Sequence, residues 1–217
     1  MSTERVPDLP AASVRRDVAL PLVLADGSTV PARMSSFDGL LDGREHVAIA
    51  LGDRAGVRGA AAAPVGVPLV RVHSECLTGD VLGSARCDCG PQLREAVSRI
   101  AAIGGHLLYL RQEGRGIGLY NKLDAYALQE QGLDTFEANR ALGFDDDERD
   151  YAVAAQMLRA LGVDRVVLLS NNPDKAAQLA AYGIGVERRD ATLVHRTDAN
   201  DDYLRAKARG GHLLGLP

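Results

Sequence analysis

Cys76, Cys87 and Cys89 are the only cysteines in the 217-residue chain, and all fall inside the segment VRVHSECLTGDVLGSARCDCGPQ. Their C-x10-C-x-C spacing reads as a metal site, because thiolates are preferred ligands for zinc. Three protein ligands leave a tetrahedral ion one open position. That is the pattern of a catalytic zinc, which activates water near neutral pH, rather than of a closed structural one. A disulfide framework fits poorly, since three cysteines cannot pair completely and Cys87 and Cys89 are too close for an easy bridge. A closed structural site stays open as an alternative. It would need one of His46, His73, His106, His195 or His212 as fourth ligand, and His73 lies nearest in the chain.

Further stretches carry groups suited to an anion. In Glu113-Gly114-Arg115-Gly116-Ile117-Gly118 the glycines let backbone N–H groups converge, and Arg115 adds charge ahead of a helix N-terminus. Such a turn is as often a packing device, and this one lacks the full dinucleotide or Walker spacing. The acidic run Asp145-Asp146-Asp147 precedes a stretch that reads as a helix over Glu148–Leu161, which Asp147 would cap. Arg149 would then sit in the first turn, beside the positive end of the dipole, and this mismatch points to an anionic partner. Ser170-Asn171-Asn172-Pro173 reads as a turn into another helix with Lys175 in its first turn, a second anion cradle.

The elements that must position these groups follow from patterning. Residues 1–17 are polar and proline-containing and read as a flexible lead-in. VALPLVLADGSTVPARMSSF reads as two short strands around an Asp26-Gly27 turn, and His46–Asp53 as a third strand. Residues 54–68 are a Gly/Ala/Pro connector. Val67–Cys76 is a strand on which Arg71, His73 and Glu75 share one face. Pro91 marks a first helical residue, with Leu93, Val97 and Ile100 at helical spacing, so Cys87 and Cys89 should lie just before a helix. Gly104–Gly132 reads as buried strand, Gly-rich turn and helix, and RVVLLSNNPDKAAQLAAYG as strand, turn and helix. The whole is an α+β chain, with a β-rich front (18–68), a metal- and ligand-binding core (69–217), a mixed sheet and packed helices, in one catalytic domain over 18–217.

Composition bounds the partners. The net charge is −4, from 25 Lys+Arg against 29 Asp+Glu, and no basic block stands out, which argues against a nucleic-acid polymer. No run of about 18 apolar residues and no apolar leader appears, so neither a membrane nor secretion is expected, and a cytoplasmic location is.

Together RVHSECLTGD, RCDCG, RQEGRGIGL, NKLDAYALQEQG, ANRALGF and SNNPDK, in this order, resemble the GTP cyclohydrolase II family. The likeness runs from about Arg71 to Leu214. It implies zinc-dependent hydrolysis of GTP to 2,5-diamino-6-(5-phosphoribosylamino)pyrimidin-4-one, formate and pyrophosphate, as the first step of riboflavin synthesis or of a paralogous pathway. One zinc per chain would be held by Cys76, Cys87 and Cys89, with magnesium on the triphosphate, in a homodimer. GTP-binding positions fall on Arg71, Val72, His73, Ser74 and Glu75, on Gln92, on Glu113, Gly114 and Arg115, and on Thr135, Ser170 and Lys175. Asp147 takes the proton-acceptor place, Arg149 that of a nucleophile toward the α-phosphorus, and Tyr126 that of the tyrosine linked to ring opening and deformylation. A guanidinium is a poor nucleophile, so electrostatic stabilisation is an equal reading for Arg149. Asp124 stands where the family motif commonly has arginine, and Ser170 where threonine is common. The competing enzyme reading is a zinc nucleobase deaminase, from His73-Ser74-Glu75 as H-x-E, but its P-C-x-x-C partner is absent. A structural-zinc binding module is the non-enzyme alternative.

Overall fold

The fold, obtained as a computed structural model, is described for residues 8–56 and 66–215. The front part supplies β1 (Ser13–Ala19), β2 (Leu22–Val23), β3 (Thr29–Val30), β4 (Ala32–Asp38) and β5 (Val47–Leu51). After it come β6 (Leu69–Ser74), α1 (Cys89–Ile103), β7 (Gly105–Leu110), α2 (Leu119–Glu130), α3 (Thr135–Ala141) and α4 (Ala152–Ala160). The chain then forms β8 (Arg165–Leu169), α5 (Pro173–Ala181), β9 (Gly185–Asp190) and α6 (Asp201–Arg209). The expected α+β architecture is borne out as one seven-stranded mixed sheet of order β1-β4-β5-β7-β6-β8-β9. Its β1, β4, β5 and β7 run antiparallel, whereas β7, β6, β8 and β9 run parallel.

Both faces of the central strands are covered, so those strands read as nearly continuous apolar runs. Val70, Val72, Leu108, Leu110 and Leu168 pack on one face against α4 and Leu179 of α5. Leu69, Leu107, Val167 and Leu169 pack on the other face against Ala96 and Ile100 of α1. The chain leaves β6 through α1 to β7 on one side, and β8 joins β6 on the other. This reversal opens a crevice beyond the carboxyl end of β6, the place where parallel sheets bind ligands. Cys76 follows β6, the Gly-rich turn follows β7, and Ser170 follows β8, so the sheet delivers all three segments to that crevice.

Several elements differ from expectation. The first strand begins at Ser13, within the stretch read as lead-in, and Pro10 O accepts a hydrogen bond from Gln156 Nε2 at 2.7 Å. An outer strand with one solvated face, SVRRDVA, carries few apolar residues, so no apolar run announces it. The Asp26-Gly27 turn closes only the small β2–β3 ladder, while the long pairing is β1 with β4. The start of the chain and most of the Gly/Ala/Pro connector, residues 1–7 and 57–65, lie outside the described residues. Cys89 is already the first residue of α1, two positions ahead of Pro91. The helix expected from Glu148 starts only at Ala152, whose N–H is capped by Asp150 Oδ1 at 2.6 Å. Before it the backbone is spent on the Gly-rich turn: Glu148 N donates to Arg115 O at 3.0 Å, and Asp150 O accepts from Gln112 Nε2 at 2.7 Å.

The closest approach in the sheet is at Gly105, where a Cβ would lie 1.9 Å from Leu69 O. Gly105→Ala must therefore part β7 from β6, at a cost of about 3 kcal/mol or more. A urea titration checks this. An unchanged midpoint would show that the pair tolerates the methyl.

Candidate active site

Cys76 stands at the end of β6, Cys87 just before α1 and Cys89 on its first turn, and their ligand atoms lie within 4.8 Å of one another. Cys76 Sγ and Cys87 Sγ are 3.7 Å apart. Two sulfurs about 2.3 Å from a tetrahedral zinc would be separated by about 3.8 Å, so the Cys76–Cys87 pair already stands at the spacing that ion requires. Space is reserved for it. A Cβ at Gly79 would lie 2.7 Å from Cys87 Sγ and 3.2 Å from Cys76 Sγ, and one at Gly90 2.2 Å from Gly79 O. Among the described residues no histidine joins the group, and the thiols are free. The disulfide and the four-ligand closed site both lose their support.

The thiols are unequal. Hydrogen bonds from the Cys87 and Cys89 thiols pull Cys76 far below its ordinary value against the cost of burial, and the Lys122 ammonium pulls in the same direction. Cys87 is pushed up to about 11, chiefly by its hydrogen bond to Cys76. Cys89 is raised well above its ordinary value, again chiefly through Cys76. Burial and their mutual contacts thus oppose ionisation of Cys87 and Cys89, and a divalent cation is the group that would let all three ionise.

A polar frame holds this cluster. Lys122 Nζ donates to Cys76 Sγ at 3.2 Å, Thr78 Oγ1 at 2.9 Å and Glu113 Oε1 at 2.8 Å. Asp80 accepts from Cys76 N at 3.0 Å and the Tyr109 hydroxyl at 2.9 Å, and it pairs with His73 Nε2 at 3.1 Å. Asp88 accepts from Gln92 Nε2 at 2.6 Å and Lys207 Nζ at 2.9 Å, and Gln92 Oε1 accepts from Arg71 at 2.8 Å. The H-x-E pair of the deaminase reading is engaged elsewhere. His73 faces Asp80, and Glu75 Oε2 accepts from Arg111 at 2.8 Å.

A cleft of about 530 Å³ opens over the cysteines, lined among others by Ser74, Glu75, Glu113, Gly114, Arg115, Tyr126, Thr135 and Arg149. A smaller hollow beside it takes Arg71, His73, Gln92, Ser170 and Lys175, with Ser74 and Arg149 common to both. Val72 and Asp147 line neither. The Val72 side chain is core, and only its carbonyl turns to the site, accepting from Lys175 Nζ at 2.7 Å. Asp147 grips Arg149 through both oxygens, with Nε to Oδ1 at 2.7 Å, so the charge of Arg149 is answered within the chain and not by a helix end. Arg115, at φ 61°, is the one non-glycine among the described residues in the left-handed region, a strain that places its backbone against Glu148. Asp124 is exposed on α2 and lines neither space.

Sequence reasoning passed over Lys122, Asp80, Asp88, Tyr203 and Lys207. Lys122 was findable, lying one helical turn before Tyr126 in NKLDAYALQEQG, and so was Asp88 between two cysteines. Tyr203 and Lys207 stand on α6, a short and mostly charged helix in the tail that sequence reasoning left unassigned.

The GTP cyclohydrolase II family model matches residues 24–191. The chain belongs to the GTP cyclohydrolase II family. It is 51% identical over 195 residues to GTP cyclohydrolase-2 of Aliivibrio fischeri strain MJ11, covering 90% of this chain and 94% of that protein. It is 52% identical over 190 residues to GTP cyclohydrolase-2 of Vibrio cholerae, covering 87% and 92%. The riboflavin biosynthesis protein RibBA of Bacillus subtilis is 56% identical over 178 residues, covering 80% of this chain and 42% of that one. The polar frame and both hollows therefore lie together in a member of this family.

Two tests follow from the geometry. Cys87→Ser should lose the bound metal, and Gly79→Ala should lower occupancy by about tenfold or more while the fold persists, because the added methyl enters the sulfur cradle. Elemental analysis beside circular dichroism reads both, and full occupancy in either variant would undo the assignment. The second test concerns charge. Burial pushes the Lys175 ammonium well below its ordinary value, and Arg71, Arg149 and Lys207 add to the depression. A bound polyanion opposes this, so pyrophosphate binding should take up protons over the pH range in which Lys175 titrates and weaken as pH rises through it. Calorimetry in buffers of different ionisation heat measures the uptake. Identical apparent enthalpies would remove Lys175 from the binding site.

Proposed function

We propose that this chain is a GTP cyclohydrolase II that hydrolyses GTP in the riboflavin pathway, releasing formate and pyrophosphate and leaving the diaminopyrimidine ribosyl phosphate. The observation that carries this reading is the conjunction of a three-thiol metal cradle with a cationic hollow in one crevice of a family member. Zinc is the ion that suits three thiolates with an open fourth place, and it would supply Lewis-acid activation of water for attack at C8 of guanine. We take magnesium to accompany the triphosphate, and the enzyme to act as a cytoplasmic homodimer. The support for these is the family resemblance, together with the finding that no described helix is long and apolar enough to cross a membrane.

The chain's own groups divide the remaining work. Arg71, Lys175 and Arg149 gather around the small hollow and suit a polyphosphate. Although burial opposes its charge, Tyr151 and the Asp147 carboxylate hold the Arg149 guanidinium above the ordinary arginine value. A group so firmly protonated is not a nucleophile, so the reading is that Arg149 stabilises charge on the phosphoryl and Asp147 fixes the planar fork that does it. Tyr126 lines the cleft with the cysteines, under the Arg86 guanidinium at 4.2 Å. Burial raises its pKa, so at neutral pH its hydroxyl remains a proton donor. Its part in this reading is to donate to an oxyanion developing at the opened ring.

The deciding experiment follows formate, pyrophosphate and the loss of guanine absorbance together after GTP is added to the metal-loaded enzyme. Wild type should yield all three signals. Tyr126→Phe keeps the ring and removes only the hydroxyl, so it should retain metal and pyrophosphate release while formate formation falls by about a hundredfold. Formate at the wild-type rate would return Tyr126 to a packing role, and wild type that leaves GTP intact would end the functional reading.

A further inference from the structure

The segment after residue 191 lies beyond the matched part of the family model, yet it forms one side of the cleft. Asp202, Tyr203, Arg205, Lys207 and Arg209 of α6 line the large space, and Tyr203, Lys207 and His212 line the small one as well. The helix is polar, with Leu204 and Ala206 as its buried residues. Polar contacts hold it as well. Arg209 pairs with Asp134 at 3.0 Å on the exposed side, and Leu213 N donates to Asn171 O at 2.9 Å after the helix.

The contact that reaches furthest inward is Lys207 Nζ to Asp88 Oδ1 at 2.9 Å, between side chains that are 11% and 0% exposed. Asp88 separates the two cysteines at the head of α1, and its other oxygen accepts from Gln92 at 2.6 Å. Gln92 in turn accepts from the buried Arg71 at 2.8 Å. Lys207 thus ends a chain of charge-assisted hydrogen bonds that runs from α6 past the sulfur cluster to β6. The Tyr203 hydroxyl lies 3.8 Å from Cys89 Sγ, and Lys207 Nζ sits 5.2 Å from the Tyr203 ring. A carboxylate as buried as Asp88 beside an anion-binding hollow repels substrate unless its charge is compensated.

We propose that α6 is the fourth wall of the active site and that Lys207 is a positioning residue in it. Lys207 compensates Asp88 and holds the Asp88–Gln92–Arg71 chain in the arrangement that receives the polyphosphate. Arg71 then presents its guanidinium to the ligand while its other donor stays on Leu169 O, at 3.2 Å. The proposal rests on the reading that GTP is the substrate. It adds that part of the binding site comes from outside the matched family region.

Steady-state kinetics of Lys207→Met and Lys207→Arg beside wild type, with metal content, test it. Loss of one charge-assisted hydrogen bond in a buried chain corresponds to about a thirtyfold rise in KM for GTP, with kcat changed less than about threefold and metal retained. Lys207→Arg should recover part of the affinity, which a merely structural loss of packing would not. In a second measurement, wild-type enzyme is digested with trypsin with and without pyrophosphate, and cleavage at Arg205, Lys207 and Arg209 should slow when the ligand is present. A wild-type KM in folded Lys207→Met, or digestion of α6 at a rate indifferent to pyrophosphate, would overturn the proposal. Because digestion does not depend on turnover, inactivity of wild type toward GTP would count against the substrate and leave the wall to be judged by protection.

Discussion

Three sulfur atoms crowded within 4.8 Å cannot all carry charge without a cation among them, and much of the core arrangement answers that constraint. Two glycines, Gly79 and Gly90, are pressed together so that the loop after β6 and the start of α1 can bring the sulfurs this close. Lys122 leans on Cys76 as a fixed local cation, and Asp80 ties down the backbone that carries it. A buried ammonium against a thiolate is costly unless its remaining donors are met, and Thr78 and Glu113 meet them. The second-row groups therefore come from α2, from the Gly-rich turn and from the loop itself. A site so distributed is only as well ordered as the sheet that spaces these elements.

That spacing comes from the reversal of strand order around β6. The crossover through α1 sets β7 on one side of β6 and the longer one through α2, α3 and α4 sets β8 on the other, so the segments after β6, β7 and β8 converge. The antiparallel front strands extend the sheet away from this point and carry none of the cleft-lining residues. The division of labour between chemistry and scaffold follows the line between parallel and antiparallel pairing.

The sequence made the chemistry more legible than the boundaries. The cysteine spacing, the Gly-rich turn and the Ser170–Lys175 segment were visible because metal ligation and anion binding demand specific residue types at short separations. The central strands were visible because burial on both faces gives unbroken apolar runs. What escaped was whatever is held by polar contacts. β9, with GVERRD, has no apolar alternation to announce it, and α6, with DDYLRAKAR, is short and mostly charged. The start of α4 was misjudged because an acidic run looks like a cap, whereas here the residues from Asp145 to Asp150 bond to the Gly-rich turn and to arginine side chains. Arg149 was read as a cation in want of a partner, and its partner stood two residues away.

The crowding of Arg71, Lys175, Arg149 and Lys207 has a practical side. Like charges held close in a buried space raise the free energy of the empty protein, and any anion that fits relieves them. Ligand binding adds to folding stability by mass action, about 2.7 kcal/mol at a hundred times the dissociation constant. On the proposed reading of this hollow, the same protein in phosphate and in an amine buffer is then two differently stabilised samples. Melting temperature, shelf life and apparent inhibition would all shift with the anions in the tube, although no residue has changed.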